Sequence, residues 1–297
     1  MKKWVSFLSL LFLLFAAAGC GAKDETKTEK QGATGKTITL GVIPAEAKIS
    51  QAAKDKLAAA LSEKLGSKVE VKDYPDYNGV VEALNYSKLD IAFLGPFTYV
   101  KAHHKSGAEA VVAKTAKGKP YYYSYIIVPK DSAYNSIEDL EKNAGSIRFA
   151  FGDPNSTSGS LIPSINLKKR GLFEDKDHSK FKSVTYTGSH DVTAKAVAAK
   201  QVDAGAIDSA YFEKLIETNV IKKDDYKIIW QSEQLFQYPF AVRKGFPENL
   251  RAKLQDAFLG IKDKEILDAF AADGFVKASD KDYEVIKEAA EKAGKLE

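Results

Sequence analysis

Three hydroxyls stand in a row in the stretch FGDPNSTSGSLIP, residues 151–163: Ser156, Thr157 and Ser158, between a proline turn and the start of a helix. Two chemistries suit them. Ser, Thr, Asp and Asn each satisfy the free N–H groups of a helix's first turn, so the run is an ample N-cap. The same N–H groups, the helix dipole and the hydroxyls also make a seat for a phosphate-like anion. A further possibility adds His190 and Asp208 to Ser156, which are the residue types of a hydrolase's nucleophile, base and orienter. Against it, NSTSG lacks the first glycine of a G-x-S-x-G elbow. The sequence offers no acidic cluster, no Walker-type glycine loop and a single cysteine, so neither a metal nor a cofactor is expected. His103 and His104 are adjacent on a predicted helix, face different directions and read as structural.

The elements that must position these residues begin after a leader. MKKWVSFLSLLFLLFAAAGC has two lysines, an apolar run from Trp4 to Ala18 and small residues before Cys20. This is a secretory signal over residues 1–19, too short and too abruptly ended for a membrane span. Its end resembles a bacterial lipobox, with Ala17 where leucine is commoner, which implies cleavage before Cys20 and lipid on its thiol. The protein is then expected outside the cytoplasm, anchored to the cell membrane rather than spanning it. Residues 20–36 carry no large apolar side chain and read as a flexible tether. With no second cysteine to form a disulfide, the body must fold on its core alone. The formal charge of +4 is small and spread out, which gives no case for nucleic acid.

From Thr37 onward, about 260 residues alternate between strand and helix patterns, as in an α/β protein. KTITLGVIP predicts a strand, ISQAAKDKLAAALSEKLG a helix with Leu57, Leu61 and Leu65 on one face, and KVEVKDYPDY a strand. NGVVEALNYSK predicts a short helix capped by Asn78, and LDIAFLGP is apolar enough for a strand buried on both faces of a parallel sheet. FTYVKAHHKSG then reads as a helix and AEAVVAKTA as a strand. The order recurs in the second half, where VDAGAID stands as LDIAFLG stood. Two such units, with the C-terminus returning to the first, predict two lobes around a cleft. Ligands of such sheets bind beyond the carboxyl ends of the strands, and the loop at Asp153–Ser158 is one of those ends.

The series DYNGVVEAL, LDIAFLGP, DPNSTSG, GSHD and KQVDAGAIDS resembles the phosphonate and phosphite solute-binding proteins of bacterial ABC importers, in the same order along nearly the whole mature chain. The resemblance implies a type II periplasmic-binding fold with lobe 1 at 37–126 plus 236–297 and lobe 2 at 127–235, each a mainly parallel sheet flanked by helices. It implies a non-catalytic monomer that closes on a small phosphonate-type anion and delivers it to a permease. Ser156, Thr157 and Ser158 fall on the family's seat for the PO3 group, His190 on its histidine donor, and Tyr77 and Tyr122 on its two ligand-facing tyrosines. Where aminoethylphosphonate-specific members place carboxylates, this chain has Ala210 and Tyr238, which favours phosphite or methylphosphonate. Asp208 is repulsive to an oxyanion unless a proton lies between them, so it accepts from a ligand P–OH and disfavours sulfate. Asp208 equally suits the cap of the helix SAYFEKLIE. The open alternatives are the hydrolase above and the same fold binding an unrelated small ligand.

Overall fold

The computed structural model describes residues 36–46 and 49–296. The leader, Cys20 and all of the tether but Lys36 lie outside the described residues. Among the described residues, no helix is long and apolar enough to cross a membrane.

In chain order the strands are β1 (Ile38–Val42), β2 (Val69–Asp73), β3 (Ile91–Phe93), β4 (Glu109–Thr115), β5 (Tyr121–Tyr122), β6 (Ser124–Pro129), β7 (Arg148–Phe151), β8 (Ser183–Tyr186), β9 (Ala204–Asp208), β10 (Tyr226–Gln231), β11 (Leu235–Phe236), β12 (Pro239–Val242) and β13 (Gly274–Lys277). The helices are α1 (Gln51–Leu65), α2 (Tyr77–Asn85), α3 (Pro96–Ser106), α4 (Ile137–Lys142), α5 (Ile162–Lys169), α6 (His190–Ala198), α7 (Ser209–Glu217), α8 (Glu248–Gly260), α9 (Lys264–Ala269) and α10 (Glu284–Lys292). One six-stranded sheet runs β13-β4-β12-β3-β1-β2, and one five-stranded sheet runs β10-β6-β9-β7-β8. The chain crosses from the first sheet to the second between Thr115 and Ser124 and returns between Gln231 and Pro239. The two crossings pair with each other as β5 and β11.

Both sheets are mixed rather than mainly parallel. β1 pairs parallel with β2 and β3, whereas β12 lies antiparallel to β3 and β4, and β13 antiparallel to β4. In the second sheet β7 pairs parallel with β8 and β9, while β6 lies antiparallel to β9 and β10. The parallel pairs come from strand–helix–strand units, which sequence periodicity reveals. The antiparallel ones come from segments that return after a crossing, and no local pattern reports their direction.

Local signals explain the helices that matter. α1 starts where Ser50 accepts from the Ala53 N–H and ends at Gly66, whose φ of 67° suits a residue without Cβ. Leu57 and Leu61 have no exposure, and Leu65 is buried. α2 is capped by Asp76 rather than Asn78: its carboxylate accepts from the Gly79 N–H at 2.8 Å, which makes Tyr77 the first helical residue. The C-terminal segment returns to the first sheet as β13, with α8 packed on β4 and β13.

Candidate functional site

The loop after β7 is held by a close approach of two glycines. Gly152 N–H donates to the Gly159 carbonyl at 2.8 Å, and a Cβ on Gly159 would stand 3.2 Å from Gly152 Cα and 2.9 Å from Ser156 Oγ. The helix does not begin directly at Ser158. A π-turn over Thr157–Leu161 precedes α5, with Leu161 N–H reaching back to the Ser156 carbonyl. Wide turns of this kind recur at functional sites, and the first amides of such a segment have no partner within it.

The three hydroxyls, all without exposure, have three different fates. Ser156 Oγ caps the turn by accepting from Gly159 N–H. Thr157 Oγ1 crosses to the other sheet's helices and accepts from Phe97 N–H at 2.8 Å, capping α3, whose own N-cap Gly95 has no side chain to do so. Ser158 Oγ is enclosed with no partner, although its carbonyl accepts from Ser124 Oγ at 2.6 Å. The N-cap and anion-seat readings therefore apply to different hydroxyls of the same run.

The other expected residues gather at this loop. Tyr77, 1% exposed, donates its backbone N–H to Asp153 Oδ2 at 3.4 Å. Burial pushes its hydroxyl well up, with the charges of Asp153 and Asp208 adding and the Ser156 and Tyr238 hydroxyls opposing. In the tyrosine run it is Tyr122 that is enclosed, and its hydroxyl has no hydrogen-bond partner. Burial raises it well above the usual range, helped by Asp208 and opposed by Thr157 and Ser158.

Asp208, at the end of β9, is both cap and cleft residue. Its Oδ1 accepts from Ala210 and Tyr211 N–H at 2.7 and 3.0 Å, while Oδ2 is buried without a partner. Burial raises its carboxyl, against the lowering charge of Lys114. His190 begins α6, and its backbone N–H donates to the Ala45 carbonyl at 3.0 Å. Its Nε2 lies 3.0 Å from Tyr238 Oη, and Nδ1 accepts from Asp208 N–H at 3.4 Å. Burial, then Lys114, lowers the ring to about 3, so it is neutral at physiological pH. An enclosed imidazole beside a buried ammonium disfavours the added proton.

The hydrolase constellation is corrected too. Ser156 Oγ serves the turn, His190 turns Nε2 to Tyr238, and its Nδ1 meets the backbone rather than the carboxylate of Asp208. Nucleophile, base and orienter are not in line.

Two residues of the wall, Tyr211 and Lys114, were missed, and Tyr238, which the resemblance sets at the ligand's substituent, joins them. Tyr238 packs on Tyr122 and Tyr211 at ring distances of 5.5 and 5.8 Å, and Tyr211 stacks on His190 at 5.3 Å. Lys114 lies fully buried beneath Tyr211 and Tyr238. An ionisable residue inside the apolar run VVAKTA was the available signal for Lys114. Nothing in the sequence marks Tyr211 as facing the others.

The chain matches the family described as ABC transporter, phosphonate, periplasmic substrate-binding protein over residues 40–283. It is 32% identical over 226 residues to the phosphonates-binding periplasmic protein of Escherichia coli, covering 74% of this chain and 65% of that relative, just under two thirds of its length. It is 34% identical over 251 residues to the phosphate-import protein PhnD of Mycolicibacterium smegmatis, covering 82% and 77% of the two chains. Among solved structures, PhnD1 from Prochlorococcus marinus in complex with methylphosphonate superposes with a TM-score of 0.74 at 28% identity, covering 88% of this chain and 99% of that one.

Proposed function

The chain belongs to the periplasmic phosphonate-binding proteins of ABC transporters, a family that binds and does not transform its ligands, and from that premise we propose that it captures phosphite or methylphosphonate and delivers it to an importer's permease. The observation that carries this reading is the convergence of unsatisfied polar atoms. Ser158 Oγ, Tyr122 Oη and Asp208 Oδ2 are enclosed without partners, although buried polar groups are nearly always paired. A small tetrahedral anion supplies what is missing: acceptor oxygens for the two hydroxyls and a P–OH proton for the carboxylate. The first turns of α2 and α3 meet this loop through Asp153 and Thr157, and the π-turn that starts at Thr157 adds its positive end. The rings of Tyr122 and Tyr238 suit a P–H or a small alkyl group.

Ser156, Thr157, Ser158, Tyr77, Tyr122, His190 and Asp208 are in this reading the ligand residues, with His190 acting through Tyr238. None is more than 1% exposed, so ligand enters only when the two sheets' lobes part. We assign lobe 1 to residues 37–126 and 236–297 and lobe 2 to 127–235. The start of β6 at Ser124 and of β12 at Pro239 supports that division to within a few residues. In this reading the leader directs export, lipid on Cys20 holds the protein on the membrane outside the cytoplasm, and it acts as a monomer. Loss of membrane fractionation in Cys20→Ala tests the anchor.

A second reading, inorganic phosphate, is favoured by the likeness to the M. smegmatis protein. Thermal shift and calorimetry with phosphite, methylphosphonate, aminoethylphosphonate, phosphate and sulfate separate the two, because only ligands of the folded form raise its melting point. Tight binding of methylphosphonate with weak phosphate supports the first reading. Phosphate alone would replace it.

A further inference from the structure

Among the described residues, Lys114 is the lysine with no exposure at all, on a strand whose other buried side chains are almost all apolar. Its ammonium donates to the carbonyls of Phe270 at 3.0 Å and Ala271 at 3.4 Å. It stands 4.1 Å from the centre of the Tyr211 ring and 5.0 Å from that of Tyr238. Both rings belong to the wall already described, so a fixed cation sits one aromatic layer behind the ligand site.

The surrounding charges give this cation a purpose. Asp208 from β9 and Glu46 from the β1–α1 loop act on it, each favouring its charged form, while burial lowers it to about 8. His190 is neutral, and burial holds Tyr211 and Tyr238 in the phenol form. Burial also raises Glu46 to about 7, which leaves it only partly ionised near neutrality. Asp153 beside Tyr77 and Asp191 beside His190 add further carboxylates, the second paired with Lys195, and the buried cation that acts on Asp208 is Lys114. Alone, Asp208 would repel an anion and attract an ammonium.

We propose that Lys114 sets the charge selectivity of the site: its ammonium, acting through Tyr211 and Tyr238, balances Asp208 so that the cleft takes an anion with a neutral substituent and rejects one that carries an ammonium. This inference rests on the phosphorus-oxyanion reading.

The test titrates wild type, Lys114→Gln and Lys114→Arg at pH 7 with ethylphosphonate and aminomethylphosphonate, which match in size and differ by the ammonium. Wild type should prefer ethylphosphonate by about tenfold or more. Lys114→Gln keeps a donor for the Phe270 carbonyl but loses the charge, and the preference should narrow roughly tenfold, the order expected of one charge across about 10 Å at an effective dielectric near 20. Lys114→Arg should keep it. A merely structural lysine would weaken both ligands by the same factor and leave the ratio unchanged, which overturns the inference. So would a wild type that takes the amino ligand as tightly as the ethyl one. Inorganic phosphate in the same series separates this from the function reading. If wild type bound phosphate alone, the phosphonate reading would fail, while a roughly tenfold loss of phosphate affinity in Lys114→Gln, absent in Lys114→Arg, would still uphold the part played by Lys114.

Discussion

Ser158→Ala should weaken ligand binding without weakening the empty protein. The side-chain oxygen is enclosed and unpartnered, whereas the carbonyl keeps its bond from Ser124 Oγ at 2.6 Å, so the substitution deletes the free donor alone. An unsatisfied buried hydroxyl costs about 1–3 kcal/mol, and alanine's methyl carries no such penalty. In the proposed reading the empty lobes open and water reaches Ser158 Oγ, so the melting temperature of the unliganded variant should hold. With ligand present, the same hydroxyl donates to a charged oxygen, an interaction worth about 1.5–3 kcal/mol. At about 1.4 kcal/mol per decade, its loss raises Kd roughly 10- to 150-fold. Calorimetry with methylphosphonate reads the affinity, and differential scanning with and without ligand reads the stability. The ligand-induced rise in Tm should shrink in step with Kd. A variant that melts lower when empty yet binds as tightly as wild type would refute the reasoning, because Ser158 would then be serving the fold. Tyr122→Phe deletes the second orphaned hydroxyl and should follow the same pair of signs.

Asp208→Asn keeps a good N-cap for α7 but removes the charge, so it should narrow the preference for methylphosphonate over sulfate; calorimetric titration of both anions into both proteins decides it. Thr157→Ala should weaken binding by about 1–3 kcal/mol, because it strips the site of one hydroxyl and orphans Phe97 N–H, and Thr157→Ser should restore most of it. An unchanged Kd in the alanine variant would remove Thr157 from the seat. His190 titrates at about 3 in the fold against an ordinary 6.5, so the unfolded chain takes up a proton that the folded chain refuses, and stability falls as pH drops through that window. The fall is up to about 1.4 kcal/mol per pH unit. Glu46, raised to about 7 from 4.5, acts with the opposite sign between those values, so the telling comparison is between proteins. Urea unfolding of His190→Asn from pH 7 to 4 should show a shallower acid loss than wild type, and parallel curves would show that His190 is not the refusing group.

What the sequence made legible was whatever local chemistry controls. The hydroxyl run, the Asp208 cap and the alternation of strand and helix depend on neighbours a few residues away, and each stands in the structure where its pattern put it. Asn78 lost the α2 cap to Asp76 because two adjacent capping residues compete, and the winner is the one whose carboxylate reaches Gly79 N–H. The contact of Tyr238 with Lys114 was hidden for a different reason. They lie 124 residues apart in number yet meet at one ring, a proximity created only when β12 inserts between β3 and β4. Sequence spacing carries no trace of that insertion, and the lone lysine of VVAKTA was the single visible clue.

In the proposed capture, the bonds that join the two halves would make a ligand complete the closed form. Phe97 N–H to Thr157 Oγ1 and His190 N–H to the Ala45 carbonyl are drawn from the site itself, so the groups that bind are also the groups that close. At the rim, Lys117 pairs with Glu213 at 2.7 Å and Lys214 with Asp268 at 2.6 Å. Such partly exposed pairs contribute about 0–1 kcal/mol each. Against them stand the unpartnered Ser158 Oγ, Tyr122 Oη and Asp208 Oδ2, at about 1–3 kcal/mol apiece when enclosed and empty. In the proposed reading of lobe closure, such rim pairs alone would not offset those three atoms, so closure without ligand is expected to be disfavoured. An anion that satisfies all three atoms would reverse the balance, and the lobes would open again once it leaves.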